Sequence, residues 1–485
     1  LENMKQIFEP RSVAVIGASN NIKKWGCIIF GNLLLGEFRG ELYPVNPTEP
    51  EIMGFKTYRR LAEIGRPVDL AVIVTPAHTV KEIVKECVDA RVAAGIIITS
   101  GFRETGEEGK KLEEEILSLA REGGMRIVGP NTMGIFSAPA SLLALMGPLR
   151  LPPGEVALIS QSGNLGVQIV RWGSALGIKF RAFVSTGNQG DLSSMDYLRY
   201  FSKDPGTRAI LLYIEGIDRG SLFLETLRET TKTKPVVIMK GGKTRTGLKA
   251  AGSHTGALAG DRFIIDSALK QSGAILVNDT EEFLDLACAI LHVPPPKGNR
   301  MAILTRGGGW GVVAADRCED SGLAIPPLTD AMKGELDRFL PPYWSHANPV
   351  DMVATLRVEA YNDCLKLLAR SPDFDGLMAL SAGTGPLQAI IREPSWLSLL
   401  KKSEEETAEI AKGLAQLQDN IFSLIGELIE ETGKPILPVS VRFEYVGIKT
   451  FNGRSIPVYP TPERAVRTMV NLMKASRALG GPEQP

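Results

Sequence analysis

Short apolar runs, each closed by a turn of glycine, serine, proline or asparagine and followed by a helix-period pattern, recur along the whole chain. This alternation constrains the fold more than anything else, because strand–helix–strand repeats close as parallel sheets with helices on their faces. Ser12 to Ile16 ends in Gly17-Ala18-Ser19-Asn20-Asn21, and a helical pattern starts near Gly26. Glu41 to Val45 stops at Asn46-Pro47. Asp69 to Val74 stops at Thr75-Pro76-Ala77-His78, before a helix from Thr79 to Ala90. Gly95 to Thr99 leads through Ser100-Gly101-Phe102 to a charged helix from about Gly106 to Glu122, and Arg126 to Val128 leads to Gly129-Pro130-Asn131-Thr132. The expected first unit is a doubly wound parallel sheet whose ligands bind beyond the carboxyl ends of its strands.

The turn after the first strand is not G-x-G-x-x-G, and the second strand ends in Asn46 rather than an acid that could hold a ribose hydroxyl. A nicotinamide dinucleotide is therefore disfavoured, while a phosphate-bearing ligand stays compatible. Leu151-Pro152-Pro153-Gly154 reads as a linker to a second unit. That unit opens with strand Glu155 to Ile159 and Ser160-Gln161-Ser162-Gly163, then an apolar helix to about Leu176. Free N–H groups and the positive end of the helix dipole make such a start an anion site. Strand Arg208 to Ile214 ends at Glu215-Gly216, and Pro235 to Met239 reads as a further buried strand. Helix Asp261 to Gln271, strand Ala274 to Val277 and helix Thr280 to Leu291 complete the unit. The proline-rich run from His292 to Gly298 is a stiff second linker. The third unit repeats the design, with strand Arg300 to Thr305, the turn Arg306-Gly307-Gly308-Gly309, and a helix. A long amphipathic helix is expected over Lys401 to Thr432, with Ile410, Leu414, Leu417, Ile421, Leu424 and Leu428 on its core face and Glu404 to Glu406 in solvent.

Between the strand at Pro235 and the helix at Asp261 lies a glycine-rich stretch, Gly241 to Gly260, with His254 inside Gly252-Ser253-His254-Thr255-Gly256-Ala257. Glycine permits sharp bends, and a loop of this length in a compact domain is usually functional or disordered. Histidine can act there as a nucleophile, an acid or base, or a metal ligand; an isolated loop histidine can also be merely solvated.

Lys plus Arg and Asp plus Glu both number 55, so the formal net charge is zero and no basic field favours nucleic acid or an anionic membrane. No apolar run approaches the roughly 18 residues of a membrane span, and the N-terminus has no signal-peptide pattern. The five cysteines are scattered without zinc or redox spacing, which fits small core residues in a reducing cytoplasm and no metal site.

Taken together, these residues resemble the α subunit of an NDP-forming acyl-CoA synthetase, of the ADP-forming acetyl-CoA synthetase type and related to succinyl-CoA synthetase. The resemblance covers nearly the whole chain. It implies a Rossmann-like CoA-binding domain over residues 1–149, followed by two flavodoxin-like domains over 150–293 and 294–485. The segment around His254 is similar to the phosphohistidine loop, with Gly252 and Ser253 beside the phosphate. Ser160-Gln161-Ser162-Gly163 resembles the phosphate-holding helix start, and Glu215 the acid that orients the imidazole. Gly17, Ala18, Ser19, Asn20, Lys24, Val74, Thr75, Pro76, Ser100, Gly101 and Asn131 fall on the CoA-crevice turns. Asn348-Pro349-Val350-Asp351 is similar to the signature of the third domain.

Two departures from the pattern stand out: Thr48 replaces a lysine that often reaches CoA, which leaves Lys23 or Lys24 to substitute, and Thr132-Met133 replaces a common cysteine–leucine pair near the acyl group. The resemblance implies reversible conversion of acyl-CoA, phosphate and ADP to carboxylic acid, CoA and ATP through a phosphohistidine. ADP/ATP with Mg²⁺ would bind an ATP-grasp β subunit, in an α2β2 heterotetramer. A silent CoA-binding scaffold and a nucleotide-dependent oxidoreductase are the competing classes; an intact His254 loop argues against the first, and the missing fingerprint against the second.

Overall fold

The computed structural model of the protein describes residues 4–244, 246–247, 262–355, 357–383, 399 and 401–478. The first sheet has five parallel strands in the order Glu41–Val45, Ser12–Ile16, Leu70–Ile73, Ala94–Ile97 and Arg126–Val128. All five residues of Ser12–Ile16 are buried, as expected for a central strand covered on both faces. The chain order reverses between Ser12–Ile16 and Leu70–Ile73, which opens a crevice at their carboxyl ends. Helix Trp25–Leu35 follows the first strand, helix Ala77–Asp89 the third and helix Glu107–Glu122 the fourth. This is the doubly wound, Rossmann-like unit expected from the alternation.

The second sheet has seven strands in the order Ile275–Val277, Val236–Lys240, Ala209–Ile214, Pro153–Ser160, Phe180–Ser185, Gly134–Ser137 and Leu142–Leu145. The first five run parallel; the last two form an antiparallel hairpin on the edge. Sequence reasoning missed this hairpin and the strand Phe180–Ser185. The hairpin strands are four-residue, fully buried runs with no alternation to betray them. They are cut from chain that precedes the proline linker, so the second sheet borrows its edge from the region after the first.

Residues 1–174 and 178–280 form one compact unit. A single apolar cluster runs through both of its sheets, from Val13 and Val15 to Ile159, Leu212 and Ile238. Phe8 stacks on Tyr200 at 4.6 Å and meets Phe201 at 5.1 Å, tying the short helix Met4–Phe8 to helix Ser194–Lys203. Asp191 accepts from Arg126 Nε and from the Ile127 backbone N–H, both at 2.9 Å, and so fastens the last strand of the first sheet to the second.

Residues 175–177 and 281–485 form the other unit. Its sheet is parallel, in the order Val350–Asp351, Met301–Thr305, Gly376–Ala379 and Ile436–Pro438, with a separate hairpin of Gly447–Phe451 and Arg454–Val458. Asn348 accepts from Ile303 N and donates to Met301 O and Pro326 O, which gives the Asn348-Pro349-Val350-Asp351 stretch a scaffolding role. The long helix spans Glu404–Thr432 and begins with a capping box in which Ser403 and Glu406 satisfy each other's end of the backbone. Glu406 therefore does more than face solvent. The expected core face holds only in the second half: Ile421 and Leu428 are fully buried, whereas Ile410 and Leu417 are exposed. Among the described residues no helix is long and apolar enough to cross a membrane.

Candidate active site

A cavity of about 930 Å³ lies at the carboxyl ends of the first sheet, a size that accommodates a large cofactor. Its floor comes from strand ends and turns: Ile16, Gly17, Val45, Asn46, Val74, Thr75, Ile98 and Thr99. Gly17 has φ +96°, and a Cβ there would meet Val74 O at 3.0 Å. Helix Trp25–Leu35 approaches the turn so closely that a Cβ on Gly26 would lie 1.9 Å from Gly17 O. Two glycines thus let a helix N-terminus, with no side-chain cap, open directly onto the crevice.

Of the expected cofactor contacts, Gly17, Lys24, Val74, Thr75, Pro76 and Ser100 line this cavity. Ala18, Ser19, Asn20, Gly101 and Asn131 do not. Ala18 and Ser19 are buried, and an acid already occupies the donors of the turn: Ser19 Oγ donates to Glu49 Oε1 at 2.6 Å and Asn20 N to Glu49 Oε2 at 2.9 Å. Those hydrogen bonds hold the Glu49 carboxyl below its usual range, with Ser19 the larger cause. Gly101 N likewise donates to Glu104 Oε1 at 2.6 Å. Asn46 caps its own turn, accepting from Thr48 N and Glu49 N, and donates to Ala18 O.

The cavity rim is basic. Lys23 and Lys24 are joined there by Arg59 and Arg60, which sequence reasoning did not single out. Their placement depends on an isolated bridge between Val45 and Tyr58, with Asn46 N donating to Tyr58 O, which lays residues 56–60 beside the second strand. One such bridge leaves no periodic trace in a sequence. Arg60 pairs with Glu86 at 3.2 Å; the Arg59 guanidinium has no partner among the described residues. Thr48, at the departure from the lysine pattern, also lines the cavity.

Asn131 serves the junction between the two sheets. Its N–H donates to Thr99 O at 3.0 Å and its Nδ2 to Asn188 Oδ1 at 3.3 Å, while Asn188 N donates to Pro130 O. The next residues reach the second sheet: Thr132 Oγ1 donates to Ser185 O, and Met133 N to Ser185 Oγ at 3.0 Å. Met133 then lies against Gly163, the first residue of helix Gly163–Ala175.

At that helix start the N–H groups of Gly163, Asn164 and Leu165 have no acceptor among the described residues, which leaves an anion-binding end. Ser162 and Gly163 sit at this end, partly exposed. Ser160 and Gln161 also make hydrogen bonds within the fold. Ser160 is fully buried and donates to Ser162 O at 2.6 Å. Gln161 Oε1 accepts from Glu215 N and Gly216 N, and its Nε2 donates to Gly216 O, so its side chain fixes the turn that carries Glu215. Glu215 follows strand Ala209–Ile214 and takes a hydrogen bond from Tyr213 Oη at 3.2 Å. Lys240, 9% exposed, donates from Nζ to Glu215 O at 2.7 Å and to Gly241 O at 2.8 Å. The ends of strands Ala209–Ile214 and Val236–Lys240 are thereby pinned together where the histidine loop departs. Gly252, Ser253 and His254 lie outside the described residues.

Three family models match in succession: a CoA binding domain over residues 11–138, a succinyl-CoA ligase like flavodoxin domain over 153–290, and a Ligase-CoA domain over 301–430. The chain is 40% identical over 478 residues to the α subunit of acetate–CoA ligase [ADP-forming] II of Pyrococcus furiosus, covering 98% of both chains. It is 37% identical over 479 residues to the α subunit of the isoform I enzyme of the same organism, again over 98% of both. Among solved structures it is similar to the dinucleotide-forming acetyl-coenzyme A synthetase 1 of Ca. Korarchaeum cryptofilum in complex with phosphate and ADP. The TM-score there is 0.83 and the identity 34%, over 99% of this chain and 98% of that one. With end-to-end identity at this level and all three domain models in order, the chain belongs to the α-subunit family of the NDP-forming acyl-CoA synthetases.

Proposed function

We propose that the chain is the CoA- and phosphate-handling α subunit of an acid–CoA ligase (ADP-forming) of the acetate type, interconverting acyl-CoA, phosphate and ADP with carboxylic acid, CoA and ATP. The observation that carries this reading is the junction at Met133: the strand-end crevice of one sheet and the open helix end at Gly163 of the next belong to a single compact unit. CoA would occupy the crevice through Gly17, Lys24, Val74, Thr75, Pro76 and Ser100, with Lys23 and Arg59 adding positive charge at the rim. Asn131 would act through the junction rather than by touching CoA. Residues 1–149, 150–293 and 294–485 would be the three modules, CoA-binding, phosphohistidine-bearing and second ligase domain.

In the thioester-consuming direction a phosphate oxygen attacks the acyl carbonyl carbon, the C–S bond breaks and the CoA thiolate takes a proton. Phosphate charge is met by Ser162, Gly163 and the following N–H groups, with Gly252 and Ser253 beside it. His254 then attacks phosphorus; the N–P bond forms as the P–O bond to the acyl group breaks, and the carboxylate leaves. Glu215 accepts the other ring N–H, which fixes the tautomer and stabilises the positive charge that develops. An oxygen of the ADP β-phosphate finally attacks phosphorus and the N–P bond breaks, giving ATP. That last site, with its Mg²⁺, would sit on an ATP-grasp β subunit in an α2β2 assembly. The five described cysteines are all buried and free, which suits a cytoplasmic enzyme.

The test is phosphopeptide mapping after labelling with acyl-CoA and phosphate. An acid-labile, base-stable label on His254, lost in His254→Asn with CoA binding retained, is expected. Glu215→Gln should lower the rate roughly 10²-fold or more. A label on Ser162 or Ser253, or normal turnover by His254→Asn, overturns the mechanism.

A further inference from the structure

One residue of the strand-end cavity runs against the charge of its surroundings. Lys23, Lys24, Arg59 and Arg60 make the rim basic, and Glu86 is the only acid among the described residues that line the cavity. A carboxylate there repels a polyanionic ligand unless it meets one of that ligand's donors. Glu86 stands on helix Ala77–Asp89, where Thr79, Ile83 and Glu86 line the cavity at the three- and four-residue spacing of one helix face. Its side chain is 21% exposed and held at one oxygen: Arg60 Nε donates to Oε1 at 3.2 Å, and Ala62 N donates to the same atom at 3.0 Å. Oε2 accepts from no described residue. One oxygen is thus spent within the fold, and the other is left for a donor in the cavity.

The order of the sheet says which end of CoA reaches Glu86. The thioester must approach the junction at Met133, which follows the edge strand Arg126–Val128. Arg60 and Leu61 follow the bridge between Val45 and Tyr58, at the opposite edge strand, Glu41–Val45. With the thiol at one edge, the nucleotide falls at the other. There Leu61 and Ile83 add apolar surface, which suits a purine ring better than a phosphate. We propose that Glu86 reads the base: Oε2 accepts a hydrogen bond from the exocyclic amine of adenine. The inference rests on the CoA site proposed above. Glu86 touches no reacting atom; it determines specificity, because a base with a carbonyl in place of the amine would set two acceptors face to face.

The experiment titrates the full chain by calorimetry with CoA, with deamino-CoA (hypoxanthine in place of adenine) and with phosphopantetheine, which has no nucleotide. All three titrations are repeated on Glu86→Gln. The wild type should bind CoA on the order of tenfold or more tighter than deamino-CoA. In Glu86→Gln the amide oxygen keeps the bonds from Arg60 and Ala62, so the amide nitrogen takes the place of Oε2 and donates to the hypoxanthine carbonyl. The preference for CoA should therefore vanish or reverse, while phosphopantetheine affinity stays at the wild-type value. Equal wild-type affinity for CoA and deamino-CoA overturns the inference, whatever the variant does. So does a loss in Glu86→Gln that is the same for both nucleotides, which would assign the acid to a ribose hydroxyl. Absence of any CoA binding by the wild type defeats the function reading itself, and this inference with it.

Discussion

Met133 and Gly163 are in direct contact: a Cβ on Gly163 would lie 2.3 Å from Met133 Cγ and 3.2 Å from Met133 Cβ. The first belongs to the turn that leaves the first sheet, the second opens a helix of the second, and only a glycine lets them meet. Gly163→Ala should destabilise the chain by about 1–3 kcal/mol through overpacking. Adding Met133→Ala removes the obstacle and should recover much of that loss. Urea unfolding of both single variants and the double one gives the coupling; strictly additive effects would show that the contact does not matter.

Gly26 is the harsher case, because its obstacle is backbone. With Gly17 O at 1.9 Å and Gly17 C at 2.8 Å from the added Cβ, no rotamer relieves Gly26→Ala. We expect a Tm several degrees lower and loss of saturable CoA binding by calorimetry. Gly413, in the exposed half of the long helix with nothing within 4 Å of a Cβ, is the control. Gly413→Ala should stabilise by roughly 0.5–1 kcal/mol. An unaffected Gly26→Ala would mean that the helix does not need its close approach to the turn.

Glu49 predicts an acid-sensitive turn. Its carboxyl is depressed, by the Ser19 hydroxyl first and the Asn20 N–H next. A depressed carboxylate stabilises the fold fully above its unfolded pKa, about 4.3. That contribution is lost as pH falls through the lower folded value. Glu49→Gln should therefore unfold with a shallower dependence on acid pH than the parent, while the two converge in strong acid. Parallel slopes across an acidic urea series would rule this out.

The basic rim should carry CoA affinity that scales with charge. Arg59→Ala and Lys24→Ala are each expected to weaken CoA about three- to tenfold, and the loss should shrink at high salt. Dephospho-CoA separates the contacts: a residue that meets the terminal ribose phosphate loses its effect with that ligand. Titration calorimetry of the two variants with both ligands is sufficient, and unchanged affinity in both would remove the rim from the binding site.

The sequence by itself determined the parallel α/β class, because runs such as Ser12–Ile16 and Val236–Lys240 are too apolar for anything but strands covered on both faces. It also determined where chemistry-bearing turns fall along the chain, since glycine, serine and proline at strand ends act locally. Three things depended on tertiary contacts. The edge hairpin of the second sheet, Gly134–Ser137 with Leu142–Leu145, joins strands by pairing across residues 137 and 182, which no local pattern encodes. The resemblance placed Ser19 on a CoA-crevice turn and Ser160 and Gln161 at the phosphate-holding helix start; which groups their side-chain donors meet within the fold, Glu49, Ser162 O and Gly216 O, was chosen by packing. Arg59 was invisible for the converse reason. It stands in no motif, and it acquires its place only when the bridge between Val45 and Tyr58 lays its segment beside the second strand.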